Sequence, residues 1–296
     1  YSEKLLAEIY PLSKGFLDNF NRKPCLTVIL VGDNSASKIY VKNKILIAQK
    51  IGIESKEILL TISKEDIFYT ESRLILADFI NENSFEKEAI NILKELIKTQ
   101  EKSSEIYELL GNIYRYHEKF DLAQEAYSEA IYLHQNSEFD NNNLWLLYFF
   151  RGISLEQLKN YEKSKQDLRK SLAMMPDQPQ VLNYLGYMLI EQKENLEEAL
   201  GMIRKAVKIS PQSGYIIDSL AWGLYQLGRY SEAIEPMERA IELEPEDPIV
   251  NDHLGDVLWK VGRKREAYYQ WKKTLLFNPT PELKLEIEKK LDTGLP

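Results

Sequence analysis

Ala199, Ala233 and Ala267 lie 34 residues apart, and so do Pro211, Pro245 and Pro279. The surroundings repeat with them, as LEEALGMIRKAVKISP, YSEAIEPMERAIELEP and KREAYYQWKKTLLFNP. Upstream of each stands a second block: NYLGYMLIEQ, DSLAWGLYQLGRY and DHLGDVLWKVGRK. A period of this length, with two helical blocks per step, specifies stacked helical hairpins, each burying its apolar side against the next. The small residues have a steric role. The two helices of a unit cross where a side chain larger than alanine would hold them apart, and overpacking such a crossing costs about 1–3 kcal/mol. The prolines end the second helix of each unit and set the turn into the next, because proline cannot continue a helix interior.

The same register runs backwards. Gly111 and Ala123 take the two small positions in YELLGNIYRYHEKFDLAQEAYSEAIYL, and Ala77 and Ala89 take them one unit earlier. The unit from Trp145 to Gln178 keeps Gly152 but carries Ser164 at the second small position, and the next has one extra residue in QKENLEE. HQNSEFDNNN, from His134 to Asn143, is polar and off-register and reads as a loop insertion. Units are expected at about 70–103, 104–137, 145–178, 179–213, 214–247 and 248–281, with a charged capping helix over 282–292. This pattern resembles the tetratricopeptide repeat family. The resemblance implies an all-α solenoid, a right-handed superhelix whose first helices line a concave groove, acting as a noncatalytic scaffold or adaptor for a peptide or partner protein.

Residues 1–66 do not share the period. CLTVIL, Cys25 to Leu30, reads as a buried strand, KIYVKNKILIAQKIG as a helix closed by Gly52, and SKEILLTI as a second strand. The stretch PCLTVILVGDNSASKIYVKNK, with Tyr40 and Lys44 one helical turn apart, resembles the start of the bifunctional methylenetetrahydrofolate dehydrogenase/cyclohydrolase family. That resemblance, over residues 23–60, implies a folate-stacking role for Tyr40 and a catalytic role for Lys44. After Asp66 no glycine-rich dinucleotide loop or further strand–helix series follows. A catalytic lysine without a pocket to orient its substrate loses most of its rate advantage. The expected reading is therefore no enzyme and no cofactor, with a folate-enzyme remnant or fusion carrying an interaction array as the alternative.

Charge and cysteine content narrow the partner. With 38 Lys and Arg against 46 Asp and Glu, the net charge is −8, which disfavours nucleic acid. No apolar run is long enough to span a membrane. One cysteine, Cys25, and three scattered histidines, His117, His134 and His253, supply no metal-ligand spacing. Compartment stays open: the folate-like start points to the cytoplasm. A further likeness of DSLAWGLYQLGRYSEAIE and HLGDVLWKVGRKREA to bacterial envelope lipoproteins, some of them adaptors for a processing protease, points to the periplasm or outer membrane.

In the tetratricopeptide family positions 2, 5, 9, 12 and 13 of each first helix face the groove. By register these include Asn183 and Tyr187, then Tyr215, Asp218, Trp222 and Tyr225, then Asp252, Asp256 and Trp259. Such a groove is aromatic and acidic, and favours a basic or apolar partner over an acidic one. Aromatic anchors carry much of the energy at interfaces. The plainer alternative makes Trp222, Tyr225 and Trp259 packing residues between neighbouring helices and the aspartates solvated charges.

Overall fold

The computed structural model describes residues 69–82, 86–99, 103–136 and 143–295. The expected strands, Tyr40 and Lys44, and most of the off-register insertion lie outside the described residues. Among the described residues there are thirteen helices and no strand. The chain divides into two compact units, 1–141 and 142–296.

The first unit contains α1 (Tyr69–Glu82), α2 (Glu86–Thr99), α3 (Ser104–Tyr116) and α4 (Phe120–Gln135). The second contains α5 (Leu144–Gln157), α6 (Tyr161–Met174), α7 (Pro179–Glu191), α8 (Leu196–Ile209), α9 (Gly214–Gln226), α10 (Tyr230–Leu243), α11 (Pro248–Lys260), α12 (Lys264–Thr274) and α13 (Pro281–Thr293). Successive helices pair into hairpins, α1 with α2 through α11 with α12, and α13 closes the series. We call the first helix of a hairpin A and the second B. In the second unit each B helix packs on the following A helix, and α7, α9 and α11 also touch in succession.

The small residues sit where the period places them. Ala199, Ala233 and Ala267 are fully buried at the A–B crossings. A Cβ on Gly186 would fall 2.9 Å from the Ala199 carbonyl oxygen, and one on Gly255 would fall 2.4 Å from the Trp271 ring. Ser164 is tolerated because its hydroxyl donates to the Gly152 carbonyl at 2.7 Å, so no polar group is left unmet at that crossing. Proline opens α7, α11 and α13, where its missing N–H is not needed, and the Asp247 carboxylate accepts from the amides of Ile249 and Val250 to cap α11.

One turn recurs in the five A–B connections from α3–α4 to α11–α12. Glu118, Lys159, Lys193, Gly228 and Gly262 occupy equivalent places and all have positive φ, from 56° to 87°. The following amide in each case closes back on the last turn of the A helix, as in Asn160 N–H to Leu155 C=O at 2.8 Å and Arg263 N–H to Leu258 C=O at 2.9 Å. The left-handed conformation costs a residue with a Cβ roughly 1–2 kcal/mol. Part of that is recovered by the lower unfolded-state entropy of a non-glycine residue. Lys159→Gly is therefore expected to stabilise the second unit by about 0.5–1 kcal/mol, read as a rise in the urea midpoint at unchanged slope.

Candidate interaction face on the A helices

The nine residues assigned to the groove by register all belong to α7, α9 and α11, and the structure separates them into two groups. Asn183, Asp218, Asp252 and Asp256 are buried. Tyr187, Trp222, Tyr225 and Trp259 are half-buried, and Tyr215 is 52% exposed. Ile249, at the position in α11 that matches Tyr215 in α9, is 51% exposed. The carboxylates were expected as free groove charges. Each is instead engaged inside the protein, because a carboxylate removed from water needs a counter-charge or donors.

Within the second unit, a series of ties runs from α5 through α7, α9 and α11 to α13. The Tyr184 hydroxyl of α7 donates to Glu156 of α5 at 3.1 Å. The Trp222 indole N–H of α9 donates to Glu191 of α7 at 2.8 Å. His253 of α11 places Nδ1 2.9 and 3.0 Å from the two oxygens of Asp218 of α9. Lys290 of α13 donates to Asp252 at 2.7 and 2.9 Å and to Asp256 at 2.9 Å. Trp271 of α12 completes the last tie, its indole N–H donating to Asp256 at 3.0 Å.

The aromatic rings stack along the same face. Trp222 lies parallel to Tyr225, with centroids 4.8 Å apart and planes at 8°, and parallel to His253, at 4.0 Å and 12°. Trp259 donates its N–H to the Leu295 carbonyl at 3.0 Å, carries the Lys264 ammonium 4.6 Å from its ring centroid, and packs against Gly294. Both tryptophans are thus half-buried and each braces neighbouring groups.

Burial and neighbouring charges shift the titrating groups in step. Burial, with Asp256 beside it, pushes the Asp252 carboxyl up to about 6 in spite of Lys290. Burial would pull the Lys290 ammonium down, but Asp256 and Asp252 outweigh it and hold the group above the usual lysine range. Burial would likewise lower His253, and Asp218, followed by Asp252 and Asp256, reverses this and raises it. Tyr187 and Tyr225 are raised, chiefly by burial and then by nearby carboxylates.

Profiles described as tetratricopeptide repeat match residues 104–136, 150–214 and 224–262. The array is built of tetratricopeptide repeats. A solved structure of the C-terminal part of a TPR repeat-containing protein from Cytophaga hutchinsonii shares this fold, with a TM-score of 0.55 at 16% identity, covering 75% of this chain and 87% of that one. A TPR repeat-containing protein of Pseudomonas aeruginosa is 33% identical over 87 residues, 29% of this chain and 15% of the relative. At the other end, the tetrahydrofolate dehydrogenase/cyclohydrolase catalytic domain matches residues 2–84. The bifunctional protein FolD of Rickettsia bellii is 40% identical over 75 residues, 25% of this chain and 26% of FolD. The chain spans well under two thirds of either curated relative.

Sequence reasoning missed His253, Lys290, Glu191 and Trp271 as members of this face. A signal was present. The ties from one A helix to the next, and from α11 to α13, join residues 28 to 38 positions apart, close to one repeat length, with an acid first and a donor second, whereas Trp271 reaches Asp256 from 15 positions on.

Proposed function

We propose that the tetratricopeptide array is a noncatalytic scaffold that holds a peptide or partner protein against its A-helix face. The observation that carries this reading is the run of aromatic and aliphatic side chains left accessible on successive A helices, Tyr187 on α7, Tyr215, Trp222 and Tyr225 on α9, Ile249 and Trp259 on α11. The buried aspartates already have internal partners, so a basic ligand loses the groups expected to attract it. The face favours an apolar or aromatic segment. Among the described residues no helix is long and apolar enough to cross a membrane.

Trp222 and Trp259 brace their neighbours, so truncating them disturbs the face itself. Tyr215 and Ile249 are the cleaner probes. Immobilised full-length chain carrying Tyr215→Ala and Ile249→Ala is expected to lose a partner that the parent captures from bacterial lysate, with affinity falling at least about thirtyfold if the pair supplies about 2 kcal/mol or more. Helical circular dichroism should stay unchanged. Equal capture by parent and variant would remove the A-helix face as the binding surface. An envelope processing protease among the captured proteins would support the adaptor likeness.

A second reading rests on the folate-enzyme match over residues 2–84. It makes Tyr40 and Lys44 a folate site fused to the array. Because the sequence after Asp66 supplies no dinucleotide-binding loop, the full chain is expected to show no NADP-dependent oxidation of methylenetetrahydrofolate. Turnover abolished by Lys44→Ala would establish the enzyme reading instead.

A further inference from the structure

His253 is buried, in the second unit, among a cluster of titratable groups on the A-helix face. From α9 it meets Asp218 through two short contacts and Trp222 through a parallel stack at 4.0 Å, and that indole also stacks on Tyr225. Glu191 of α7 holds the indole N–H, with Tyr187 beside it. From its own helix Asp252 and Asp256 add negative charge, which Lys290 of α13 offsets. One side chain therefore ties α11 to α9 and sets the ring that presents the aromatic face.

We propose that His253 is a proton-operated joint between α9 and α11: charged, it clamps Asp218 and Trp222 and fixes the aromatic face; neutral, it holds both more loosely. The charged imidazolium contributes in two ways. It neutralises a carboxylate that is otherwise buried alone, and it lies against an indole face whose negative potential attracts a cation. The neutral ring keeps an Nδ1–H for Asp218 but loses both charge-dependent attractions. The joint thus loosens without the fold coming apart.

The sign follows from the environment. With its folded value raised, His253 contributes stability fully below the ordinary histidine value of about 6.5, and loses it as pH rises through the folded value. Alkaline conditions loosen the joint. Each unit by which the midpoint is raised corresponds to a tenfold shift between clamped and loosened forms. The consequence for partner binding rests on the reading of this face as the binding surface. The test contains no partner, so its outcome and that of the capture experiment are separable.

The full chain carries three histidines, so its imidazole resonances can be followed by NMR across pH 5 to about 9 and assigned with His253→Gln. The expected result is a His253 midpoint above about 6.5, with a step in tryptophan emission at the same midpoint. Trp222→Phe should abolish that step, as should Asp218→Asn combined with His253→Gln, which keeps a neutral hydrogen bond. A His253 midpoint at or below about 6.5 in the parent would overturn the proposal without need of any variant. So would an emission step that survives in His253→Gln.

Discussion

Replacing Lys290 with methionine is expected to destabilise the second unit by about 3–5 kcal/mol, because it removes the ammonium that ion-pairs directly with the buried Asp252 and Asp256. The methionine fits the space of the lysine stem, so the loss reports charge rather than volume. It should depend on pH in a set direction. Asp252 already titrates near 6 beside Lys290, and removing the ammonium raises both carboxyls further. In the variant the folded state takes up protons more readily than the unfolded state, so its stability rises as pH falls through that range. The gap between parent and variant is therefore wide at pH 8 and narrows toward pH 5. Urea unfolding at pH 8 and pH 5 measures this. Adding Asp252→Asn and Asp256→Asn should return most of the loss at pH 8, since neutral amides need no counter-ion. A single variant within about 1 kcal/mol of the parent at pH 8 would show that water reaches these carboxylates.

The architecture was open to sequence reasoning because a solenoid repeats its physical problem. Each A–B crossing needs two small residues, and each unit shows them, so a period can be counted without knowing any partner. The candidate face was less legible for the same reason. Register places Asp218, Asp252 and Asp256 on one side of their helices, but their burial depends on what the next A helix brings. His253 and Lys290 supply that, and neither stands at a position the repeat specifies as small or apolar. Aspartates at groove positions thus read as free charge, although the chain provides their partners about one repeat later. Trp222 lies in α9, an A helix, as the register places it. Its stacks with Tyr225 and His253 required two helices at once, which a one-helix pattern does not encode.

Trp271 offers the second large effect, and it tests the rule from which the fold was read. Its side chain is fully buried in the core shared by α9, α11 and α12, and truncation to alanine is expected to cost about 3–5 kcal/mol. Part of that is the cavity, and part is the donor lost to Asp256. Gly255→Ala alone should cost about 1–3 kcal/mol, because its Cβ would lie 2.4 Å from an indole that has no room to retreat. Combining the two changes removes that conflict: the new methyl enters space the indole has vacated. The double variant should therefore lose clearly less than the sum of the single losses, a favourable coupling measured by a double-mutant cycle in urea. Strict additivity would mean that something other than the Trp271 ring demands glycine at 255. The small residue would then reflect backbone needs of α11, and the steric account of the 34-residue period would fail at its best-packed crossing.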